Sequence, residues 1–339
     1  DGDGRADVAK EVQSDPEWLH GVYFDGDTAY VVGVRKLWKS PVLPDGSLGP
    51  KTMLAEDLPD GGQHNNRTLA VKNGKIYLSI GSTCNTCPET NPENATMVTM
   101  DLDGKNRKIF ASGLRNTIGF DWKDGEMYGW DQSIDWLGDD EAREEINLIA
   151  EGRRYGWPYL YEDDKYDETH LPKPQKGYTL AQWRAESDEP RLMHTAHSAG
   201  MQMKFYEGAQ FPAAYRGDAF VTLRGSWNRS VPSGYEVARV KFENGRPVRV
   251  EPFVSGFVRR TGNGWTQYGR LCGLDFLPDG SMLFSDDDGG NLYRVSYGTP
   301  SAPAKDIVAK LVKDLFPAGG TAIASPDFRD GGRLPDWTS

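Results

Sequence analysis

The residues of this sequence with the most evident chemical use lie between Gly113 and Pro158. Arg115 and Asn116 open the stretch, and a guanidinium beside an amide suits a carboxylate ligand. Six of the eleven residues from 135 to 145 are acidic, and oxygen ligands without His or Cys favour Ca²⁺ or Mg²⁺. A Tyr-Gly-Trp-Pro corner at 155–158 ends it. This combination predicts a cofactor site. The alternatives are a strand-end salt bridge for Arg115 and a solvated loop for the acidic run.

His64 is the candidate general base. It lies in the sequence GGQHNNRTL, just before a predicted strand, and it is one of five histidines. An imidazole titrates near neutral pH and can therefore accept a proton from a substrate. The alternative is a loop histidine whose only role is to make a hydrogen bond.

Further cationic and aromatic candidates follow later predicted strands. Arg224 ends one inner strand, and the next residues include Trp227, Asn228 and Arg229. Trp227 could stack on a flat ring, and Arg229 could pair with an anion. Arg270 precedes the last predicted hairpin in a similar position. Several cations at equivalent positions predict attraction of an anionic ligand to this acidic protein.

The elements that must position these residues form a repeated pattern. An apolar run, a turn containing Gly and an aromatic or β-branched run recur five times, in four cases with Asp-Gly or Asn-Gly at the turn. The five segments are 21–33, 68–81, 118–130, 215–225 and 274–286. Added outer strands give four-stranded units, which are typical of propeller blades. The sequence therefore predicts an all-β, six-bladed β-propeller whose N-terminal blade, at residues 1–12, is incomplete. We place the propeller domain at 1–298.

The C-terminal part, 299–339, is predicted to be a short helix and a tail. Residues 305–316 place their apolar side chains at helical spacing, and Pro317 follows the predicted end. The segment 151–200 is rich in Pro and charged residues and predicts loops.

The overall composition excludes several classes of function. The net charge is −11, which argues against a nucleic-acid-binding role. The sequence contains no run of 18 apolar residues, so it predicts no membrane-spanning helix. Cys84 and Cys87 supply only two of the four ligands that a zinc site needs. Their loop is too polar for a redox motif, so a disulfide between them is favoured. Cys272 is expected to be a buried, small hydrophobic residue.

The ordered motifs resemble the soluble sugar dehydrogenases that depend on pyrroloquinoline quinone, and within them the L-sorbosone dehydrogenase type. The motifs are HNNRTL, KIYLSIGSTCNTC, GLRNTIGF, EEINLIAEGRRYGWP, YRGDAFVTLRGSWNR and GRLCGLDFLPDG. The resemblance covers residues 18–298. It implies a six-bladed propeller, bound pyrroloquinoline quinone and Ca²⁺, a sugar substrate, an external electron acceptor such as cytochrome c or a quinone, and a periplasmic or secreted location.

The resemblance also implies roles for individual residues. His64 matches the catalytic base, and Arg115 and Asn116 match residues that hold the quinone. Glu145 and Tyr155 match the calcium-loop region, to which the acidic run adds Asp135 and Asp139. The remaining cofactor contacts are expected among Arg224, Trp227, Asn228, Arg229 and Arg270.

Two other functions stay open from the sequence. A calcium-dependent, lactonase-type hydrolase would need a Glu/Asn/Asp metal site in place of a ring of arginines. A binding propeller without catalysis would have lost its cofactor site.

Overall fold

A computed structural model of the chain describes residues 11–15, 18–60, 62–262 and 264–298. The predicted C-terminal helix at 305–316 and nearly all of the predicted incomplete blade at 1–12 lie outside these residues. The described part of the chain divides into two compact units, one within residues 11–196 and the other within residues 197–298.

The unit formed by residues 11–196 contains three four-stranded antiparallel sheets. The strands of the first sheet are β1 (Leu19–Asp25), β2 (Thr28–Gly33), β3 (Leu37–Pro41) and β4 (Thr52–Ala55). Those of the second are β5 (Leu69–Lys72), β6 (Lys75–Ile80), β7 (Thr96–Asp101) and β8 (Lys108–Ser112). Those of the third are β9 (Thr117–Lys123), β10 (Glu126–Asp131), β11 (Glu144–Ile149) and β12 (Leu192–His194). Within each sheet, strands that follow one another in the chain are hydrogen-bonded neighbours.

The other unit contains two further sheets and a ribbon. The four-stranded sheet has β13 (Gly200–Phe205), β14 (Ala219–Leu223), β15 (Glu236–Glu243) and β16 (Arg246–Val254). The ribbon has β17 (Val258–Thr261) and β18 (Gly264–Gln267), and the three-stranded sheet has β19 (Leu271–Phe276), β20 (Met282–Asp286) and β21 (Asn291–Val295). The meander of consecutive antiparallel strands is that of a propeller blade, so the all-β, propeller-type prediction is confirmed. The number of blades, six, stays a prediction.

The turn chemistry explains several of these hairpins. Asn73 and Gly74 join β5 to β6, and both have positive φ, at 51° and 73°. Asp124 and Gly125 join β9 to β10 in the same way, with φ of 51° and 88°. Two left-handed residues in a two-residue loop match the right-handed twist of the flanking strands. The fourth predicted hairpin differs, because the connection from β13 to β14 is a long loop containing a 3₁₀ turn at Ala213–Tyr215.

Apolar side chains between sheets form the core of each unit. Between the first and second sheets, Tyr30, Val32 and Leu37 share a cluster with Ile76 and Leu78, all nearly or fully buried. In the other unit, a dense set of aromatic side chains fills the core, with Phe220 and Phe253 at a ring-centre distance of 4.8 Å. Burying such side chains contributes about 1.5–3 kcal/mol each, and it fixes the strand ends that carry the polar residues.

The segment from 151 to 200 has more regular structure than the sequence predicts. It contains the short helix α1 (Leu180–Glu186), which begins at a capping box formed by Thr179 and Gln182. Strand β12, which completes the third sheet, also lies in this segment. No described helix is long and apolar enough to cross a membrane.

Candidate functional site

His64 lies at the entry to β5, and two hydrogen bonds to its backbone hold it there. Its N–H donates to the carbonyl of Ser82, which follows β6, at 3.1 Å. Arg67, which is fully buried, donates from its guanidinium to the His64 carbonyl at 3.1 Å. Gly81 permits this approach, since a Cβ there would lie 2.5 Å from the Cβ of His64 and 2.9 Å from Oδ1 of Asn116.

The His64 imidazole has one hydrogen-bond partner in the described chain. Its Nδ1 lies 2.8 Å from the Ser82 hydroxyl oxygen. The Ser82 hydroxyl itself donates a hydrogen bond to the carbonyl of Cys84, at 2.7 Å. Burial, and next the positive charge of Arg115, lower the pKa of His64 to about 3. The ring is therefore neutral at neutral pH, which is the form that can accept a proton.

Arg115 lies just before β9, and its guanidinium is fully engaged by the protein. Its Nε and one terminal nitrogen donate to the backbone carbonyl and the side-chain oxygen of Asn85, at 2.9 and 2.8 Å. Other hydrogen bonds go to the carbonyl of Gln132 at 3.2 Å and the carboxylate of Asp135 at 3.0 Å. Only 3% of Arg115 is exposed. Its contribution to a ligand is therefore mainly the field of a buried positive charge.

The buried carboxylate of Asp131 aligns the start of β9. It accepts hydrogen bonds from the backbone N–H groups of Arg115 and Asn116, at 2.9 and 2.8 Å, and from the hydroxyl of Thr117 at 2.8 Å. Burial raises its pKa to about 6, and these hydrogen bonds act in the opposite direction. Asp131 therefore positions the backbone of the Arg-Asn pair.

Asn116 presents an acceptor without a partner in the described chain. Its side-chain nitrogen donates to the side chain of Gln132 at 2.9 Å. Its Oδ1 is buried and makes no hydrogen bond, and the residue is only 6% exposed. Because buried polar atoms are nearly always paired, such an atom indicates a place where a ligand or a water donates.

The loop that follows β6 carries the predicted disulfide and organises the site. Cys84 and Cys87 are bonded, which confirms the prediction. Between them, Asn85 binds Arg115 and Asp135, and its carbonyl also accepts from the indole N–H of Trp157 at 3.1 Å. The Thr86 hydroxyl donates to the carbonyl of Pro158 at 3.1 Å. The aromatic corner is thereby fixed to the loop that holds His64 and Arg115.

The structure does not bring the four predicted metal ligands together. In the described chain, the ligand atoms of Asp135, Asp139 and Glu145 do not form a group close enough to share an ion. Asp135 pairs with Arg115. The Tyr155 hydroxyl is used by the backbone, donating to Leu148 at 2.6 Å and accepting from Ala150 at 2.8 Å, and burial raises its pKa to about 12.

Glu145 lies in a buried and acidic environment. Burial, and next the charge of Asp131, raise the pKa of its carboxyl group to about 8. It accepts from the backbone N–H of Glu162 at 2.8 Å. The assignment of Glu145 as a metal ligand stays a prediction.

The remaining predicted cofactor residues belong to the unit that contains β13 to β21. Arg224 forms an ion pair with Asp287. Trp227 is 65% exposed, and Arg229 donates to the carbonyl of Val231 at 3.0 Å. The half-buried residues Asn228 and Arg270 complete the list of these candidates. Cys272 is free and half-buried, so it is less buried than the sequence predicts.

Three residues of the site were missed by the sequence reasoning. Ser82 and Asn85 organise the hydrogen bonds around His64 and Arg115, and Arg67 holds the backbone of His64. Arg67 makes no ion pair with a carboxylate in the described chain, and burial lowers its pKa to about 10. Its position in the sequence, three residues after His64, was the feature that could have identified it.

Comparison with known proteins identifies relatives of this chain. The model of a family described as TrAA12-like matches residues 1–298. An uncharacterized protein of Borreliella burgdorferi is 33% identical over 244 residues, which are 69% of this chain. The chain spans 61% of the length of that relative.

Solved structures share the fold. The holo form of the pyranose dehydrogenase PQQ domain from Coprinopsis cinerea has a TM-score of 0.69 at 19% identity, over 87% of this chain and 86% of that one. A calcium structure of a Trichoderma reesei carbohydrate-active enzyme of family AA12 has a TM-score of 0.68 at 19% identity, over 84% and 82%. At such identities the likeness concerns the fold.

Proposed function

Because the chain belongs to the TrAA12-like family, we propose that it is a quinoprotein sugar dehydrogenase. It oxidises an aldose or an aldosone such as L-sorbosone by base-assisted hydride transfer to pyrroloquinoline quinone. One observation carries this proposal. A neutral imidazole, His64, is held beside a buried arginine and a buried amide oxygen that has no partner in the described chain.

The residues around His64 suit an anionic, flat cofactor. The quinone carries carboxylates, which the charge of Arg115 favours over distances of several ångströms. Oδ1 of Asn116 can accept a hydrogen bond from the ligand and so lose its unpaired state. The side chain of Arg115 makes four hydrogen bonds to the protein. Its contribution to cofactor binding is therefore its positive charge, and it helps to fix the position of the next residue, Asn116.

The reaction requires a proton and a hydride to leave the substrate. When bound, the quinone supplies the acceptor for the hydride and its electron pair. His64 takes the proton of the sugar hydroxyl, or of the aldehyde hydrate, as the carbon–oxygen double bond forms. A positioned general base of this kind contributes about 10²- to 10⁴-fold to the rate.

The low pKa of His64 has a consequence for its strength as a base. A base works best when its pKa lies near the working pH, and a value of about 3 is far below it. An anionic ligand bound near Arg115 would oppose the charge of Arg115 and so raise the pKa of His64. His64 would then be a stronger base in the loaded protein than in the chain without quinone.

Calcium stands apart from the quinone in this proposal. The four side chains Asp135, Asp139, Glu145 and Tyr155 do not fit a calcium ion, since their ligand atoms do not converge in the described chain. No step of the proposed reaction involves the metal. The calcium structure of the Trichoderma reesei enzyme supports adding Ca²⁺ in reconstitution, and a requirement for it stays a prediction.

The other parts of the proposal rest on the sequence. Contacts of Arg224, Trp227, Asn228, Arg229 and Arg270 with the cofactor stay predictions. So do an external acceptor, such as cytochrome c or a quinone, and a periplasmic or secreted location.

Reconstitution tests the proposal. The chain is incubated with pyrroloquinoline quinone, with and without Ca²⁺, and dye reduction is followed with a panel of aldoses and aldosones. We expect quinone-dependent turnover with at least one sugar. A folded chain that binds no quinone would refute the proposal and favour a binding propeller, and lactone hydrolysis with Ca²⁺ alone would favour a hydrolase.

The role of His64 is tested by His64→Ala. We expect turnover to fall by at least about 10²-fold, the contribution of a general base, while quinone binding stays within a few-fold of the original protein. Unchanged turnover would refute the assignment. The control is His170→Ala, which removes an exposed histidine paired with Asp167.

A further inference from the structure

The hydrogen bonds of Ser82 determine which nitrogen of His64 carries the proton. A serine hydroxyl has one hydrogen to donate and lone pairs to accept with. Ser82 donates that hydrogen to the carbonyl of Cys84, at 2.7 Å. A carbonyl can only accept, so the assignment of this bond is fixed. At its contact with His64, at 2.8 Å, Ser82 must then accept.

The donor in that contact is therefore Nδ1–H of His64. In a neutral imidazole only one nitrogen carries a hydrogen. The other nitrogen, Nε2, then has a free lone pair, and no described residue donates to it. We propose that Ser82 is a positioning residue that fixes this tautomer and so makes Nε2 the basic atom of His64. This inference rests on the proposed function, in which His64 is the base.

The surroundings of Ser82 hold its hydroxyl in place. The side chain is completely buried. The Ser82 N–H donates to the carbonyl of Arg115 at 2.8 Å, and its carbonyl accepts from the His64 N–H. The backbone carbonyl that accepts the hydrogen bond from this hydroxyl belongs to Cys84, one of the two cysteines of the disulfide. Rotation of the hydroxyl towards Nδ1 would break this hydrogen bond and leave the carbonyl of the half-buried Cys84 without this donor, which is unfavourable.

The opposite tautomer would disable the base. With hydrogen on Nε2, that atom could only donate, and Nδ1 would face the Ser82 oxygen with a second lone pair. The charged groups near the ring, Arg115 and Arg67, are both positive. They favour a neutral ring and do not select between its nitrogens, so the selection comes from Ser82.

Nitrogen-15 NMR of the histidine rings tests the inference on the chain without quinone. Long-range proton–nitrogen spectra near pH 7 distinguish a protonated Nδ1 from a protonated Nε2, and His64→Asn identifies the His64 signals among the five histidines. We expect His64 to carry its hydrogen on Nδ1. A hydrogen on Nε2 would overturn the inference, whether or not the protein oxidises sugars.

Substitution of Ser82 adds a second measurement. In Ser82→Ala we expect a mixture of tautomers and, in the reconstituted protein, a fall in kcat of about tenfold or more; Ser82→Thr, which keeps a hydroxyl, should recover part of both. Ser79→Ala is the control, because Ser79 is also buried in this region but does not contact His64. An unchanged tautomer in Ser82→Ala would contradict the assignment. If Ser82→Ala does not fold, the tautomer of the original protein still decides.

Discussion

Replacing His64 by glutamine should change how stability depends on pH. In the folded chain the pKa of His64 is lowered from 6.5 to about 3, by burial first and by Arg115 second. Between these values the unfolded chain binds a proton at this residue and the folded chain does not. The free energy of unfolding therefore falls as the pH is lowered, by up to about 1.4 kcal/mol per pH unit.

From pH 7 to pH 5 this amounts to a loss of about 2 kcal/mol. The original protein should lose this amount relative to His64→Gln. Other groups titrate in the same range, and buried acids act in the opposite direction: the pKa values of Glu145 and Asp131 are raised to about 8 and about 6. These groups are present in both proteins, so the difference between the two isolates His64.

Urea denaturation at pH 7 and pH 5 measures the two free energies. His194→Gln should show a similar difference, since burial lowers the pKa of His194 to about 4. Ser79→Ala, which removes no titratable group, should show none. If the difference between the original protein and His64→Gln is the same at both pH values, His64 titrates in the folded chain as it does in the unfolded one, and the description of its environment is wrong.

The remaining predictions concern the loop and the buried ion pair. Replacing both Cys84 and Cys87 by alanine should lower the free energy of unfolding by roughly 2 kcal/mol, the chain-entropy value for so short a loop, and should broaden the tautomer signal of His64; an unchanged signal would contradict a role of the loop in holding Ser82. Asp135→Asn should cost about 1.5–3 kcal/mol in calcium-free buffer, because Arg115 loses a charged hydrogen-bond partner. Asp103→Asn, at the exposed pair with Lys105, should have no measurable effect on the denaturation midpoint. Equal midpoints for Asp135→Asn and the original protein would mean that Asp135 does not support Arg115.

Local patterns predicted the strands well. The Asn73–Gly74 and Asp124–Gly125 turns occur where the sequence places them, because a two-residue hairpin depends on the residues at the turn. The outer strands that the sequence analysis adds to the repeated pattern are also present, as β3, β7, β15 and β21. The long loop before β14 was not predicted, because the turn at Arg216 and Gly217 was interpreted as a hairpin, whereas β14 pairs with β13, which ends at Phe205.

The site was predicted less completely, because residue type does not reveal partners. Histidine and arginine attract notice in a sequence, so His64 and Arg115 were found. Ser82 and Asn85 act through hydrogen bonds to residues 18 and 30 positions away, which no local pattern records. The acidic residues show the same limit: Asp131 and Asp135 make hydrogen bonds to the Arg-Asn pair, and residue type alone did not predict these contacts.

Reduction of the bound quinone by sugar, followed by absorbance in a single turnover, tests the central claim most directly. The chain and His64→Ala are each loaded with pyrroloquinoline quinone and Ca²⁺ and then mixed with the sugar that gives the highest turnover. We predict that the original protein reduces the quinone and that His64→Ala binds it equally well but reduces it at least about 10²-fold more slowly. Reduction at the same rate in both proteins would contradict His64 as the base, and a lack of quinone binding by the original protein would contradict the proposed function.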